Sequence, residues 1–311
     1  MDAGQLAALD AHCRKERQNR EESQRLYEQQ QKVQERFYRL RSAAVRSGAL
    51  DGEEPVTFKA AAQTGLSIAC GGDRVSGMLA DRSTRLAAVF CHPWRPMGGS
   101  MHDLNVLHAL AIFGAEGANI TTLRFNFRCG LGRGHTSAAD LRGACAFLLS
   151  LDEPPDKLLL VGYSYGSLVV ADVAPTLPAC AAFAMIAPPL GFGLPLFAGR
   201  HGAIFRAAQS SNKPKLCLLG SHDQFCTQQQ FARFVDGLHE PATAKVAKGP
   251  LVADGCGHGG CGHEHRQPVD HFTIFSHLEP IVVPWVTDTF GCPLERLAES
   301  SGVPKPPSEV L

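Results

Sequence analysis

Hydrophobic positions divide the chain into two parts with different periodicities. Over residues 4–46, Leu26, Val33 and Leu40 recur every seven positions, with Phe37 and Ala44 as a partial second row. The rest of that stretch is crowded with Arg, Lys, Glu and Gln. Glu21, Glu28 and Glu35 each stand four residues before a cation, namely Arg25, Lys32 and Arg39. That order supports a helix by about 0.2–0.5 kcal/mol per pair. The spacing predicts a charged amphipathic N-terminal helix, within a segment bounded at 1–50, with a narrow apolar seam. The seam has three possible uses: packing on the body of the protein, self-association or partner binding, or a solvated arm.

From Pro55 onward the pattern changes to short apolar runs bounded by turn residues. Pro55–Ala60 and Leu66–Cys70 read as strands, with Gly71-Gly72-Asp73 as a hairpin turn. Leu86–Cys91, Ile120–Phe127, Lys157–Gly162, Ala181–Ile186 and Lys215–Gly220 read as buried strands. Helical patterns lie between them at Asp103–Phe113, Ala138–Leu151, Ser167–Ala174 and Gln228–Leu238. An antiparallel start followed by repeated strand–helix units predicts an α/β fold with a mostly parallel central sheet and helices on both faces, spanning 51–292. A Pro-rich tail, 293–311, follows. On such sheets ligands bind beyond the carboxyl ends of strands, so chemistry is sought there.

Composition narrows the function class. The formal net charge is zero and 44% of residues are hydrophobic. A balanced charge offers no field for nucleic acid or a membrane surface. No apolar run reaches the roughly 18 residues of a membrane span, and the polar N-terminus does not read as a signal peptide. Most of the eleven cysteines stand singly in apolar stretches, as Cys91, Cys145, Cys180 and Cys217 do. Free buried thiols of this kind suit a reducing compartment, so a cytoplasmic location is expected.

Gly162-Tyr163-Ser164-Tyr165-Gly166 fits G-x-S-x-G. A hydrophobic run precedes it and a helical pattern follows, the context of a nucleophile elbow with Ser164 as nucleophile. A glycine-flanked surface turn is the bland alternative. A serine nucleophile needs a base, and the base an orienting acid, in the chain order Ser, Asp or Glu, His. Asp223 follows the strand Lys215–Gly220 and suits the acid, though it also suits a turn aspartate capping the next helix. For the base, His271 and His258 both remain open. Beyond His271, Ser276 and Glu279 have the spacing of a capping box, with Pro280 and Pro284 disturbing that last helix. The oxyanion requires two N–H donors: Tyr165 is placed by the elbow, and Trp94 is the candidate in the loop His92–Gly99. That loop reads equally as a surface connection.

Two further segments carry chemistry-bearing residues. Leu190, Phe192 and Leu194 lie in a long connection, within a segment bounded at 186–213. They would form a short lid or acyl-pocket wall, or pack over the sheet edge. The segment 253–268 holds Cys256, His258, Cys261, His263 and His265, five soft or borderline donors within ten residues. Their spacing matches no standard zinc module, so a flexible glycine-rich excursion competes with a structural metal site.

Cys91-His92-Pro93 with Gly98-Gly99 and Met101, then Arg124-Phe125-Asn126-Phe127-Arg128, then the Gly-Tyr-Ser-Tyr-Gly elbow, resemble a family of small, lid-poor α/β-hydrolases of esterase-like description. The resemblance spans residues 56–290. It implies a catalytic Ser164, an acid at Asp223 and, from Asp270-His271-Phe272, a base at His271. Three features depart from the family pattern: Arg128-Cys129-Gly130-Leu131-Gly132 in place of Arg-Gly-x-Gly, the N-terminal helix, and the insertion around 255–265. The expected function is hydrolysis of a carboxylic ester or thioester through an acyl-enzyme, with no cofactor and a small acyl substrate as partner. The altered loop and the insertion favour one alternative, an idle hydrolase fold serving as an interaction module presented or dimerised by the N-terminal helix; a zinc-binding regulator is a third reading.

Overall fold

The computed structural model describes residues 49–50, 52–61, 74–81, 85–113, 120–128, 134–191, 200–249, 251–253 and 264–291, with scattered positions between 14 and 42. The expected N-terminal helix, the strand Leu66–Cys70 with its turn, and the C-terminal tail fall largely or wholly outside these residues. The strands are β1 (Glu54–Lys59), β2 (Arg74–Ala80), β3 (Leu86–Cys91), β4 (Thr121–Phe125), β5 (Lys157–Tyr163), β6 (Cys180–Ile186), β7 (Lys215–Gly220), β8 (Ala242–Ala247), β9 (Leu251–Ala253) and β10 (Glu264–Arg266). The helices are α1 (Leu104–Phe113), α2 (His135–Leu148), α3 (Tyr165–Val173), α4 (His201–Gln209), α5 (Gln228–Val235) and α6 (Glu279–Phe290).

Eight strands form one sheet in the order β1-β2-β4-β3-β5-β6-β7-β8. The β1–β2 and β2–β4 pairs are antiparallel, and every pairing from β4 to β8 is parallel. Burial on both faces explains the unbroken apolar runs of the middle strands. Along β5, Leu158 and Leu160 join the core under α2, α3, α4 and α5, whereas Leu159, Val161 and Tyr163 join the core under α1 and α6. The same alternation in β3 sends Ala87, Val89 and Cys91 one way and Leu86, Ala88 and Phe90 the other. Cys91, Cys145, Cys180, Cys217 and Cys226 are free and buried, which agrees with their reading as small hydrophobes.

Some local expectations are corrected. Ser276 does not cap α6: its hydroxyl donates to Thr273 O at 2.9 Å, and the capping position is Leu278, without a side-chain bond. Pro280 stands in the first turn, where a missing N–H costs nothing, and Pro284 lies inside the helix. The capping box belongs instead to α5, where Thr227 Oγ1 accepts from Gln230 N at 3.2 Å and Gln230 Oε1 accepts from Thr227 N at 2.9 Å. Residues 201–209, read as part of a lid-like connection, form the amphipathic α4, which buries Ile204, Phe205 and Ala208. Of the 253–268 insertion, the described ends are β9 and β10, an antiparallel pair in which His265 stands opposite Val252.

Candidate active site

Ser164 sits between β5 and α3 with φ 53° and ψ −121°, a conformation rare outside glycine. Such a residue carries strain of about 1–3 kcal/mol, held by its surroundings. The flanking glycines make the turn possible by close approach. A Cβ on Gly162 would stand 2.3 Å from Gly166 O, and one on Gly166 would stand 2.2 Å from Cys91 O. Ser164 N donates to Ile186 O at 2.9 Å, fixing the turn against β6. Tyr165 opens α3, its hydroxyl hydrogen-bonded with Ser137 Oγ at 2.8 Å.

Asp223 leaves the carboxyl end of β7 on a loop laced to the segment before His271. His222 N donates to Val269 O at 2.8 Å, and Val269 N donates to Ser221 Oγ at 3.2 Å. One carboxylate oxygen, Oδ1, accepts from the N–H groups of Phe225 (2.8 Å) and Cys226 (3.0 Å). The other is left for His271: Nδ1 and Asp223 Oδ2 are 2.7 Å apart, with side chains 3% and 0% exposed. An ionised carboxylate only accepts, so Nδ1 carries the proton, and Nε2 of the neutral ring is an acceptor. Nε2 lies 2.8 Å from Ser164 Oγ. The imidazole can therefore take the serine proton while the carboxylate stabilises the cation that results. Phe225 meets the ring edge-on with centroids 4.6 Å apart, and the exposed Phe272 stands beside it. Asp270, which shapes the turn, accepts from Phe272 N, Thr273 N and Thr273 Oγ1 at 2.7–2.9 Å. Burial works to raise its pKa, but these bonds, with one from Gln224, bring it below the usual carboxylate range.

The loop after β3 is laced to the end of β4 by side chains from both recognised motifs. Phe127 N donates to His92 Nε2 at 3.0 Å, and Arg95 Nη1 donates to Phe127 O at 2.8 Å. Met101 N donates to Asn126 Oδ1 at 3.0 Å, and Arg124 Nη1 donates to Met101 O at 3.0 Å. Arg124 also forms a bidentate ion pair with Glu53, at 2.7 and 2.5 Å, with both side chains shut off from water. Asp140 of α2 accepts from Arg128 Nε at 2.5 Å and from the Arg128 backbone N–H at 2.9 Å; burial raises the Asp140 pKa and the Arg128 bonds act against that rise. Trp94 has φ −64° and ψ 122°, its carbonyl accepting from Met97 N and Gly99 N at 3.1 Å.

The structure thus brings Ser164, His271 and Asp223 into one hydrogen-bonded chain and leaves Trp94 and Tyr165 on ordered loops and termini. Leu190 is half-buried against the core on the α3 side, so for this residue packing is what the structure describes. Phe192 and Leu194 lie outside the described residues, as do His258, Cys256, Cys261 and His263. Among the described residues no group of His, Cys, Asp or Glu is gathered as a metal site, and no helix is long and apolar enough to cross a membrane. Glu53, Asp140 and Gln224 escaped the sequence reading. Each acts through a partner remote in sequence, and no local pattern marks them.

No protein-family model matches the chain. No curated protein matches it in sequence. Solved structures do match in fold. A serine hydrolase without a lid from Xanthomonas campestris, XC6422, superposes with a TM-score of 0.55 at 20% identity, over 76% of this chain and 95% of its own. The Pyrococcus furiosus esterase Pf2001 superposes with a TM-score of 0.51 at 16% identity, over 63% of this chain and 81% of its own. At such identities the likeness speaks for architecture, and on that ground the chain has the α/β-hydrolase fold.

Proposed function

We propose that the protein is a serine hydrolase that cleaves a carboxylic ester or thioester through an acyl-enzyme on Ser164. The carrying observation is the chain Ser164 Oγ, His271 Nε2, His271 Nδ1, Asp223 Oδ2, with links of 2.8 and 2.7 Å, ending on a serine of positive φ. Ser164 Oγ attacks the carbonyl carbon as His271 Nε2 accepts its proton, and Asp223 holds the ring in the acceptor tautomer. The backbone N–H groups of Tyr165 and Trp94 receive the developing oxyanion. Collapse expels the alcohol or thiol with the proton from Nε2. Water then attacks the acyl carbon with His271 as base, and Ser164 is restored. This route calls for no cofactor.

The hydrolase and esterase descriptions of the structural neighbours support this reading. The rival, an idle fold used for association, rests on Cys129 and the 253–268 insertion. Intact-mass measurement after mixing with a p-nitrophenyl ester tests the choice. An acyl adduct on the protein, absent from Ser164→Ala, is the expected result. A Ser164→Ala variant that hydrolyses the ester as fast as the unaltered protein would overturn the proposal.

A further inference from the structure

Tyr163 precedes Ser164 in the chain, and Gln224 follows Asp223. Both reach the peptide of His271 instead of its ring. Tyr163 Oη donates to His271 O at 2.8 Å, and His271 N donates to Gln224 Oε1 at 3.1 Å. The residues beside the nucleophile and the acid therefore grip the backbone of the residue that bridges them.

The need for such a grip follows from where His271 sits. It belongs to no regular element, lying between β10 and the 3-10 turn Ile274–His277. Its ring must nevertheless satisfy two bonds at once, at 2.7 and 2.8 Å. A base held on an unsupported loop would drift, and a displacement of about 1 Å can cost roughly 100-fold in rate. Tyr163 is suited to prevent this. It ends β5, is 3% exposed, and packs in the core that also holds Val269, Ile274 and Phe275, the residues on either side of His271. Burial, with the carboxylates of Asp103, Asp223 and Asp270 nearby, pushes the phenol pKa well above its ordinary value. The hydroxyl therefore stays protonated and remains a donor.

We infer that Tyr163, assisted by Gln224, is a positioning residue that sets the His271 imidazole relative to Ser164 by holding the His271 backbone. The inference rests on the serine-hydrolase reading of the same site. A purely space-filling Tyr163 would serve as well without its hydroxyl, so Tyr163→Phe separates the two roles.

The test uses the full chain with Tyr163→Phe and Gln224→Met. For hydrolysis of a p-nitrophenyl ester, kcat is expected to fall about 10- to 100-fold in Tyr163→Phe while KM stays within about two-fold. The second readout is the low-field proton resonance of His271 Nδ1–H, assigned by its loss in His271→Ala. It is expected to shift or broaden in both variants, independently of turnover. Should Tyr163→Phe fail to fold, Gln224→Met, altered at an exposed residue, carries both readouts. An unchanged kcat, or an unchanged resonance, in a folded variant would overturn the positioning role. If the unaltered protein hydrolyses no ester, the hydrolase reading fails, and the resonance alone decides whether the grip exists.

Discussion

Phe127 donates its backbone N–H to His92 Nε2 at 3.0 Å, and the other ring nitrogen of His92 bonds Pro93 O at 2.5 Å. A backbone N–H can only donate, so Nε2 must be unprotonated and Nδ1 must carry the hydrogen. The ring thus closes the loop that begins with the Trp94 N–H, and it does so only when neutral.

Burial, opposed by the Pro93 carbonyl and aided by the Arg95 charge, lowers the His92 pKa from 6.5 to about 4. Between those values the unfolded chain takes up a proton that the folded protein refuses. Stability from this group is complete above pH 6.5 and declines as pH falls toward 4, by about 3 kcal/mol in all. Urea denaturation of the unaltered protein and His92→Gln across this window should show a flatter acid limb in the variant. Parallel limbs would count against the assignment.

Trp94 allows a rare test of a single backbone donor. Its φ of −64° is one that proline adopts, so Trp94→Pro removes the N–H with little change in the chain path at that residue. Trp94→Ala removes the indole alone and serves as the reference. Relative to Trp94→Ala, kcat of Trp94→Pro should fall about 100- to 1,000-fold, the usual cost of one oxyanion donor. Equal kcat values would assign the second donor elsewhere.

Strain at Ser164 should reverse an ordinary stability order. At most positions glycine is less stable than alanine by about 0.5–1 kcal/mol. At φ 53° and ψ −121° the side chain is the source of strain, so Ser164→Gly should exceed Ser164→Ala in stability by about 1 kcal/mol or more. Thermal or urea denaturation of the two variants measures this directly. The usual order, alanine above glycine, would mean that the turn is not strained.

Much of the fold was legible because the central strands are buried on both faces. Leu86–Cys91 and Lys215–Gly220 were read with the bounds of β3 and β7, since their apolar runs end abruptly at polar or glycine residues. By contrast β8, Ala-Thr-Ala-Lys-Val-Ala, went unread. As an edge strand with half-exposed residues it lacks hydrophobic contrast. The β2 strand, Arg74–Ala80, was hidden by Gly77 and Ser76 in its middle. Ser164 and Asp223 stand just beyond the ends of β5 and β7, where apolar runs break off and a sequence can be read. Spacing alone does not separate His271 from His258, because His271 lies on an irregular loop whose bonds to Tyr163 and Gln224 join residues remote in sequence. The Arg124–Glu53 pair, 71 positions apart, was unreadable for the same reason. Glu53→Gln would remove a negative charge from beside a buried guanidinium that keeps its bond to Met101 O, and a loss of about 3–5 kcal/mol in a denaturation experiment is expected; a loss below about 1 kcal/mol would mean that the remaining partners of Arg124 suffice.

The central claim is that Ser164 is an activated nucleophile whose base is His271. The most direct measurement is labelling of the full-length protein with a fluorophosphonate probe, beside Ser164→Ala, His271→Ala, Asp223→Asn and His258→Ala. The account requires rapid labelling of the unaltered protein and of His258→Ala, none in Ser164→Ala, and strongly slowed labelling in His271→Ala and Asp223→Asn. Folded, unaltered protein that takes up no label, or a Ser164→Ala variant that labels as well as the parent, would contradict it.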